Sequence, residues 1–147
     1  MAKICTFIGN KDVILNGKDR ETLKNLITSA IIDYSATTFY CGNYGNLDLL
    51  CATILNCLKK DYDISVIFVT PYLDKSYLNR GQINYYTMIF YPGLEKVPPK
   101  YAIVERNKYM IDRSDIVIAG VYKQFGNAYK FLNYARSKNK VILSLNL

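Results

Sequence analysis

Apolar and polar positions along this chain alternate between two periods. Short apolar runs recur at residues 3–8, 37–41, 64–69, 87–91, 116–121 and 141–147, each of strand length. The runs at 64–69 and 116–121 are continuous and rich in β-branched residues, as strands covered on both faces should be. Between the runs the apolar residues fall at helical spacing. Leu23, Leu26, Ile27, Ala30 and Ile31 follow the i, i+3, i+4 rule over residues 19–34, with Asp19 opening the helix. Leu50, Ile54, Cys57 and Leu58 mark a second helix over 47–60. Pro98-Pro99 blocks helix before it and permits one from about Lys100, with Ile103, Asn107, Met110 and Ile111 inward and Glu105, Arg106, Lys108, Asp112 and Arg113 outward. Ala128, Phe131, Leu132 and Ala135 give the last helix. Residues 73–86 are polar and aperiodic, with room for one helical turn. Strand and helix alternate throughout, which predicts a Rossmann-like α/β fold: a doubly wound, mostly parallel sheet of about six strands. With no linker or repeat visible, residues 1–147 are expected to form one domain.

The strand ends carry the candidate chemistry. Phe39-Tyr40-Cys41-Gly42-Asn43-Tyr44-Gly45-Asn46-Leu47-Asp48 passes from an apolar run through a glycine-spaced turn into a helix. Gly42 and Gly45 would let a ligand approach the main chain, and Asp48 is placed to cap the helix where free N–H groups would face an anion. An ordinary capped turn is the alternative. Gly9-Asn10 and Gly126-Asn127 repeat the arrangement at two further strand ends. In a parallel sheet such ends share one edge, so three glycine turns there predict a phosphate- or ribose-binding crevice. Neither G-x-G-x-x-G nor G-x-x-x-x-G-K-S/T is present, which argues against a dehydrogenase or an ATPase.

Composition narrows the chemistry. The chain has no histidine, which excludes Ser-His and Cys-His catalysis and histidine-ligated zinc. Four cysteines, Cys5, Cys41, Cys51 and Cys57, lack C-x-x-C spacing and are expected to be buried free thiols rather than metal ligands. A net charge of +7, spread along the chain, favours anionic partners without choosing among nucleotide, phosphate and nucleic acid. Tyr44, Tyr72 and Tyr122 lie just past apolar runs, where a ring can stack on a base. No run approaches the roughly 18 apolar residues that cross a bilayer, and the start of the chain carries no cleavage site, so a cytoplasmic location without membrane contact is expected.

Several blocks, Phe7-Ile8-Gly9-Asn10-Lys11-Asp12, the turn 39–48, Tyr91-Pro92-Gly93-Leu94-Glu95, Val97-Pro98-Pro99-Lys100, Arg106-Asn107-Lys108-Tyr109-Met110 and Gly126-Asn127-Ala128, resemble in order the YpsA-like branch of the SLOG superfamily. This resemblance implies a Rossmann-like domain related to cytokinin-activating phosphoribohydrolases and DNA-processing proteins, in a superfamily that senses or processes nucleotide-derived signals in bacterial and phage conflict. Two departures stand out. Gly9-Asn10-Lys11 replaces the branch's Gly-His-Arg, and the segment Gly126-Asn127-Ala128-Tyr129-Lys130-Phe131-Leu132-Asn133 replaces a box whose glutamates act on the N-glycosidic bond. Arg106 and Met110 match the arginine and methionine of the phosphoribohydrolases. Losing the carboxylates favours binding without turnover, since that cleavage needs one.

The expected function is therefore capture of a small nucleotide-derived anion, by sensing or sequestration, with no cofactor, no metal and no catalytic residue assigned. The main chain at Gly9, Gly42, Gly45, Gly126 and Asn127 would cradle phosphate, with Asn10 and Asn43 as further ligand-binding candidates. Lys11 and Arg106 would neutralise charge, Asp48 would meet ribose hydroxyls, and Tyr44, Tyr72 or Tyr122 would stack on the base. A homo-oligomer is expected. A nucleotide hydrolase or phosphoribohydrolase using Asp48, Glu95 or Glu105, and a single-stranded DNA binder, are the alternatives.

Overall fold

The computed structural model describes residues 2–43, 45–81 and 84–147. Strands β1 (Lys3–Gly9), β2 (Ala36–Cys41), β3 (Ser65–Val69), β4 (Met88–Phe90), β5 (Ile116–Gly120) and β6 (Val141–Ser144) form one parallel sheet in the order β4-β3-β2-β1-β5-β6. They alternate with α1 (Gly17–Ile32), α2 (Asn46–Leu58), α3 (Lys75–Arg80), α4 (Ala102–Arg113) and α5 (Gly126–Ser137), and a 3-10 turn, Pro99–Tyr101, leads into α4. The chain winds outward from β1 to β4, then α4 carries it back to the other side of β1. The order therefore reverses between β1 and β5, and loops diverge there to leave a crevice at the carboxyl ends of the strands.

Both faces of the sheet are covered. Leu23, Ile27 and Ala30 of α1 and Cys51, Leu55 and Leu58 of α2 pack on Cys5, Phe7, Phe39 and Val66. On the other face Ile111 of α4 and Ala128 and Ala135 of α5 pack on Ile8 and Val117. All five residues of β5 are buried, which is what its uninterrupted apolar run requires. Each large side chain removed from water here contributes about 1.5–3 kcal/mol. Cys5, Cys41 and Cys51 are core thiols, pushed up in pKa by burial and so inert, whereas Cys57 is exposed rather than buried as expected. No helix among the described residues is long and apolar enough to cross a membrane.

Two helices begin earlier than their acidic residues suggested. Asn16, not Asp19, caps α1: its side chain accepts from the Asp19 N–H at 2.8 Å while Asp19 accepts from the Asn16 N–H at 3.1 Å. Asp48 likewise lies inside the first turn of α2, whose cap is Gly45. In both cases the acid sits in the first turn, favoured by the helix dipole as much as an acid at the cap itself. The helical turn expected within 73–86 is α3, capped by Asp74, which accepts from the Tyr77 N–H at 3.2 Å.

Gly45 holds the joint between β1 and α2. Its φ of +103° is closed to residues with a Cβ, and a Cβ there would stand 2.8 Å from Lys11 Cα. The approach lets the Asn46 N–H donate to the Lys11 carbonyl at 3.1 Å. Gly45→Ala is expected to cost about 2–4 kcal/mol through combined backbone strain and overpacking. Urea unfolding of the two proteins measures it; an unchanged midpoint would refute this account of the joint.

Candidate functional site

A cleft of about 370 Å³ opens at the carboxyl end of β1, where the strand order reverses. Its floor is the end of β1 and the following residues Gly9 to Asp12, with Leu47 and Asp48 of α2 beside them. One wall is the apolar flank of α4, with Ile103, Val104, Met110 and Ile111. The other is the start of α5, with Phe125, Gly126, Asn127, Ala128 and Phe131, and Lys123 just ahead of it.

Asn10 fastens the crevice. Although polar it is only 8% exposed. Its N–H donates to the Gly120 carbonyl at 3.4 Å, and its side-chain oxygen accepts from the Tyr122 N–H at 2.9 Å. These bonds tie the exit of β1 to the exit of β5, the two strands between which the loops part.

The two helix ends at the cleft differ. At α2 the Asn46 N–H is taken by the Lys11 carbonyl, and the Asn46 side chain donates to the Val13 carbonyl at 3.0 Å. The close approach permitted by Gly45 is thus used by the protein's own main chain. At α5 the cap is Phe125, no side-chain cap bond is made among the described residues, Gly126 takes φ +88°, and no described atom lies within 4 Å of where its Cβ would be. This amino end can receive an anion through its N–H groups and its dipole.

Arg106 is the largest fully buried side chain, 1% exposed. Rather than facing outward, it points from α4 into the molecule. Its Nη1 donates to the carbonyls of Gly42 at 2.9 Å and Val69 at 2.8 Å, and its Nε to Asn107 Oδ1 at 2.8 Å. It therefore ties α4 to the exits of β2 and β3. Burial pulls its pKa down while Asp48 pushes it up, and an arginine so placed keeps its charge. Gly42 is glycine because a Cβ there would come within 3.1 Å of both Arg106 Cζ and Asp48 Oδ2. Nη1 is thus committed to main chain and Nε to the Asn107 side chain, leaving less of the fork for the bidentate grip on an anion that the sequence suggested.

Of the predicted site residues, Gly9, Asn10, Lys11, Asp48, Arg106, Gly126 and Asn127 line this one cleft. Gly42 and Gly45 lie behind its floor. Asn43 faces elsewhere, exchanging bonds with Arg80: its side chain donates to the Arg80 carbonyl at 3.3 Å, and its carbonyl accepts from Arg80 Nη1 at 3.1 Å. Tyr72 borders a second, shallower cleft with Tyr91 and Glu95; its hydroxyl donates to the Pro99 carbonyl at 2.6 Å and its ring packs on Tyr77. Tyr122 sits at the rim, its hydroxyl donating to Asp12 Oδ1 at 3.1 Å. Tyr44 lies outside the described residues. Asp12, Lys123 and Phe125 are lining residues that sequence reasoning passed over, although their position directly after β1 and just before Gly126 pointed to them. Among the described residues no cluster of His, Cys, Asp and Glu is arranged to hold a metal ion.

Fold and site together define a Rossmann-like α/β domain with an open cleft at its topological switch point. No protein-family model and no curated protein matches the sequence. Among solved structures, DNA processing protein A from Streptococcus pneumoniae superposes with a TM-score of 0.68 at 11% identity over 99% of this chain and 50% of its own. DNA processing protein A from Helicobacter pylori, solved in a study of its single-stranded DNA binding, gives 0.64 at 15% identity over 99% of this chain and 66% of its own. The Chlamydomonas rheinhardtii Moco Carrier Protein gives 0.51 at 11% identity over 99% of this chain and 76% of its own. The chain thus spans between half and two thirds of the DNA processing proteins. The fold is the Rossmann-like one that the resemblance implied.

Arg106→Lys is expected to destabilise the protein by about 1–3 kcal/mol, because one ammonium cannot hold both carbonyls and Asn107 in the fork's geometry. Chemical denaturation checks it, and a variant of wild-type stability would show that the clip is dispensable.

Proposed function

We propose that this protein binds a small nucleotide-derived anion in the β1/β5 cleft and acts by capture, as a sensor or a sequestering protein. The observation that carries this reading is the uncapped amino end of α5 opening onto a cleft whose opposite wall is apolar. Phosphate would lie against the N–H groups at Gly126 and Asn127, with Lys123 and Lys11 supplying positive charge. Ribose hydroxyls would donate to Asp48. The base would lie between Ile103, Val104 and Phe131, with Phe125 at the edge. A volume of about 370 Å³ suits one small ligand rather than a polymer. A fold neighbour named as a carrier of a small cofactor supports the reading.

Turnover is the weaker alternative. Asp12 and Asp48 are the carboxylates that line the cleft among the described residues, and Asp12 is held below the usual carboxylate range by Tyr122 and Lys123, which suits an ionised anchor rather than a general acid. Glu95 belongs to the second cleft and Glu105 pairs with Lys108 at 3.9 Å.

Single-stranded DNA binding draws support from the Helicobacter pylori neighbour and from cations set over exposed rings, as with Lys100 on Tyr101 and Lys123 on Phe125.

Calorimetry against nucleoside mono- and diphosphates, cyclic nucleotides, ADP-ribose and oligo-dT separates these readings. Capture predicts saturable heat with a mononucleotide-sized ligand, recovered unchanged after denaturation. Absence of heat from every nucleotide with the fold intact would overturn it. Affinity for oligo-dT alone, falling steeply with salt, would favour the DNA reading.

A further inference from the structure

On the floor of the cleft, one buried side chain keeps a single polar atom in reserve. Asn10 is 8% exposed. Three of its four polar atoms are engaged: its N–H donates to the Gly120 carbonyl, its carbonyl accepts from the Val13 N–H at 3.0 Å, and Oδ1 accepts from the Tyr122 N–H at 2.9 Å. The last bond also fixes which way the side-chain amide faces, because a main-chain N–H only donates and the atom beside it must be the oxygen. Nδ2 is left over, a donor with no acceptor among the described residues. It is not sealed away: among the described residues, the buried side-chain atom shut off without a partner is the Tyr86 hydroxyl. In a residue this buried that lines the cleft, the space Nδ2 opens onto is the cleft.

A donor this deep costs free energy when a ligand covers it without pairing it, and an acceptor on the ligand removes that cost. The walls cannot supply the acceptor, since the side chains of Ile103, Val104, Met110 and Phe131 carry no oxygen or nitrogen. With Oδ1 held toward β5, Asn10 offers the cleft a donor and no acceptor, unlike a free asparagine, which pairs with adenine through both. Arg106, which lines the same cleft, likewise carries donors only. A carbonyl at the inward edge of a ligand satisfies Nδ2, whereas an amino group there sets donor against donor. We propose that Asn10 is a specificity-determining residue, whose Nδ2 selects a nucleobase with an oxo group on its inward edge, as in hypoxanthine, guanine or uracil, over one with an amino group, as in adenine or cytosine. This rule rests on the reading of the cleft as a nucleotide site and adds to it which base is taken. It does not depend on where the phosphate lies.

The test is calorimetry on two matched pairs, inosine with adenosine 5′-monophosphate and uridine with cytidine 5′-monophosphate, against the wild type and Asn10→Asp. Within a pair the phosphate and ribose are identical, so charge acts on both members alike and drops out of the ratio. The wild type is expected to favour the oxo member of at least one pair by about tenfold. Asn10→Asp keeps an oxygen for the Tyr122 N–H and turns the cleft-facing atom into an acceptor. At mildly alkaline pH, where the new carboxyl is ionised, the ratio should fall to parity or reverse. The Asn10 side-chain amide protons of the wild type give a second reading by nuclear magnetic resonance that needs no variant: they should move downfield with the oxo nucleotide and not with its amino counterpart. Should Asn10→Asp fail to fold, these shifts decide alone, and their absence overturns the rule. Equal affinities within both pairs, a preference for the amino member, or a ratio that Asn10→Asp leaves intact would also overturn it while leaving the nucleotide reading in place. If none of the four nucleotides binds the folded wild type, the nucleotide reading fails and the rule falls with it.

Discussion

One buried charge governs the arrangement of this molecule's functional edge. Placing Arg106 at 1% exposure costs desolvation that only strong, well-directed bonds can offset. They are present: two carbonyls at 2.8 and 2.9 Å share Nη1, Asn107 accepts from Nε, and Asp48 Oδ2, like Arg106 Cζ, stands 3.1 Å from where a Gly42 Cβ would be. The carbonyls belong to the exits of β2 and β3, so the guanidinium fixes where those strands end relative to α4. The apolar wall of the cleft is carried on that helix. A change at Arg106 therefore shifts the α4 wall of the cleft as well as altering a residue that lines it.

The topology does the rest. Because the chain first winds to one side of β1 and then to the other, no connection covers the exit between β1 and β5. Asn10 ties the two exits at their base, and the loops above it separate. Of the helix ends that reach the crevice, α2 is closed by the Lys11 carbonyl and α5 is open. The open amino end is thus on α5, and the glycine-spaced turn before α2 serves mainly to bring β1, α2 and Arg106 together. The turn remains central to the fold, but its glycines make room for the protein's own atoms.

The sheet could be read from the sequence because buried strands and amphipathic helices leave different periods, and the alternation of the two left little freedom in fold class. Helix starts were displaced because Asp19 and Asp48 are as much at home inside the first turn as at a cap. The orientation of Arg106 was misread from its charge alone; its spacing from Ala102 and Met110, four residues on either side, placed it on the buried stripe of α4. Tyr72 was drawn toward the cleft by its place after β3, yet β3 lies two strands from the switch point, and a strand-end residue reaches the crevice only if its strand borders it. Gly9, Asn10, Gly126 and Asn127 were legible because β1 leads directly into the crevice and α5 opens onto it. The latch of Asp12 with Tyr122 and Lys123 joins residues about 110 positions apart, a contact that no local pattern encodes.

The account stands or falls on where an anion first meets the protein. Titration of the isotope-labelled protein with adenosine 5′-monophosphate, followed by the backbone amide resonances, addresses it directly. Saturable downfield shifts concentrated at Gly126, Asn127 and Ala128, with smaller changes at Lys123 and along the Ile103–Met110 side of α4, are predicted. Shifts confined to the outer face of α4 and α5, around Lys108, Tyr134 and Lys138, would contradict it and would mark the cleft as an unused gap between loops.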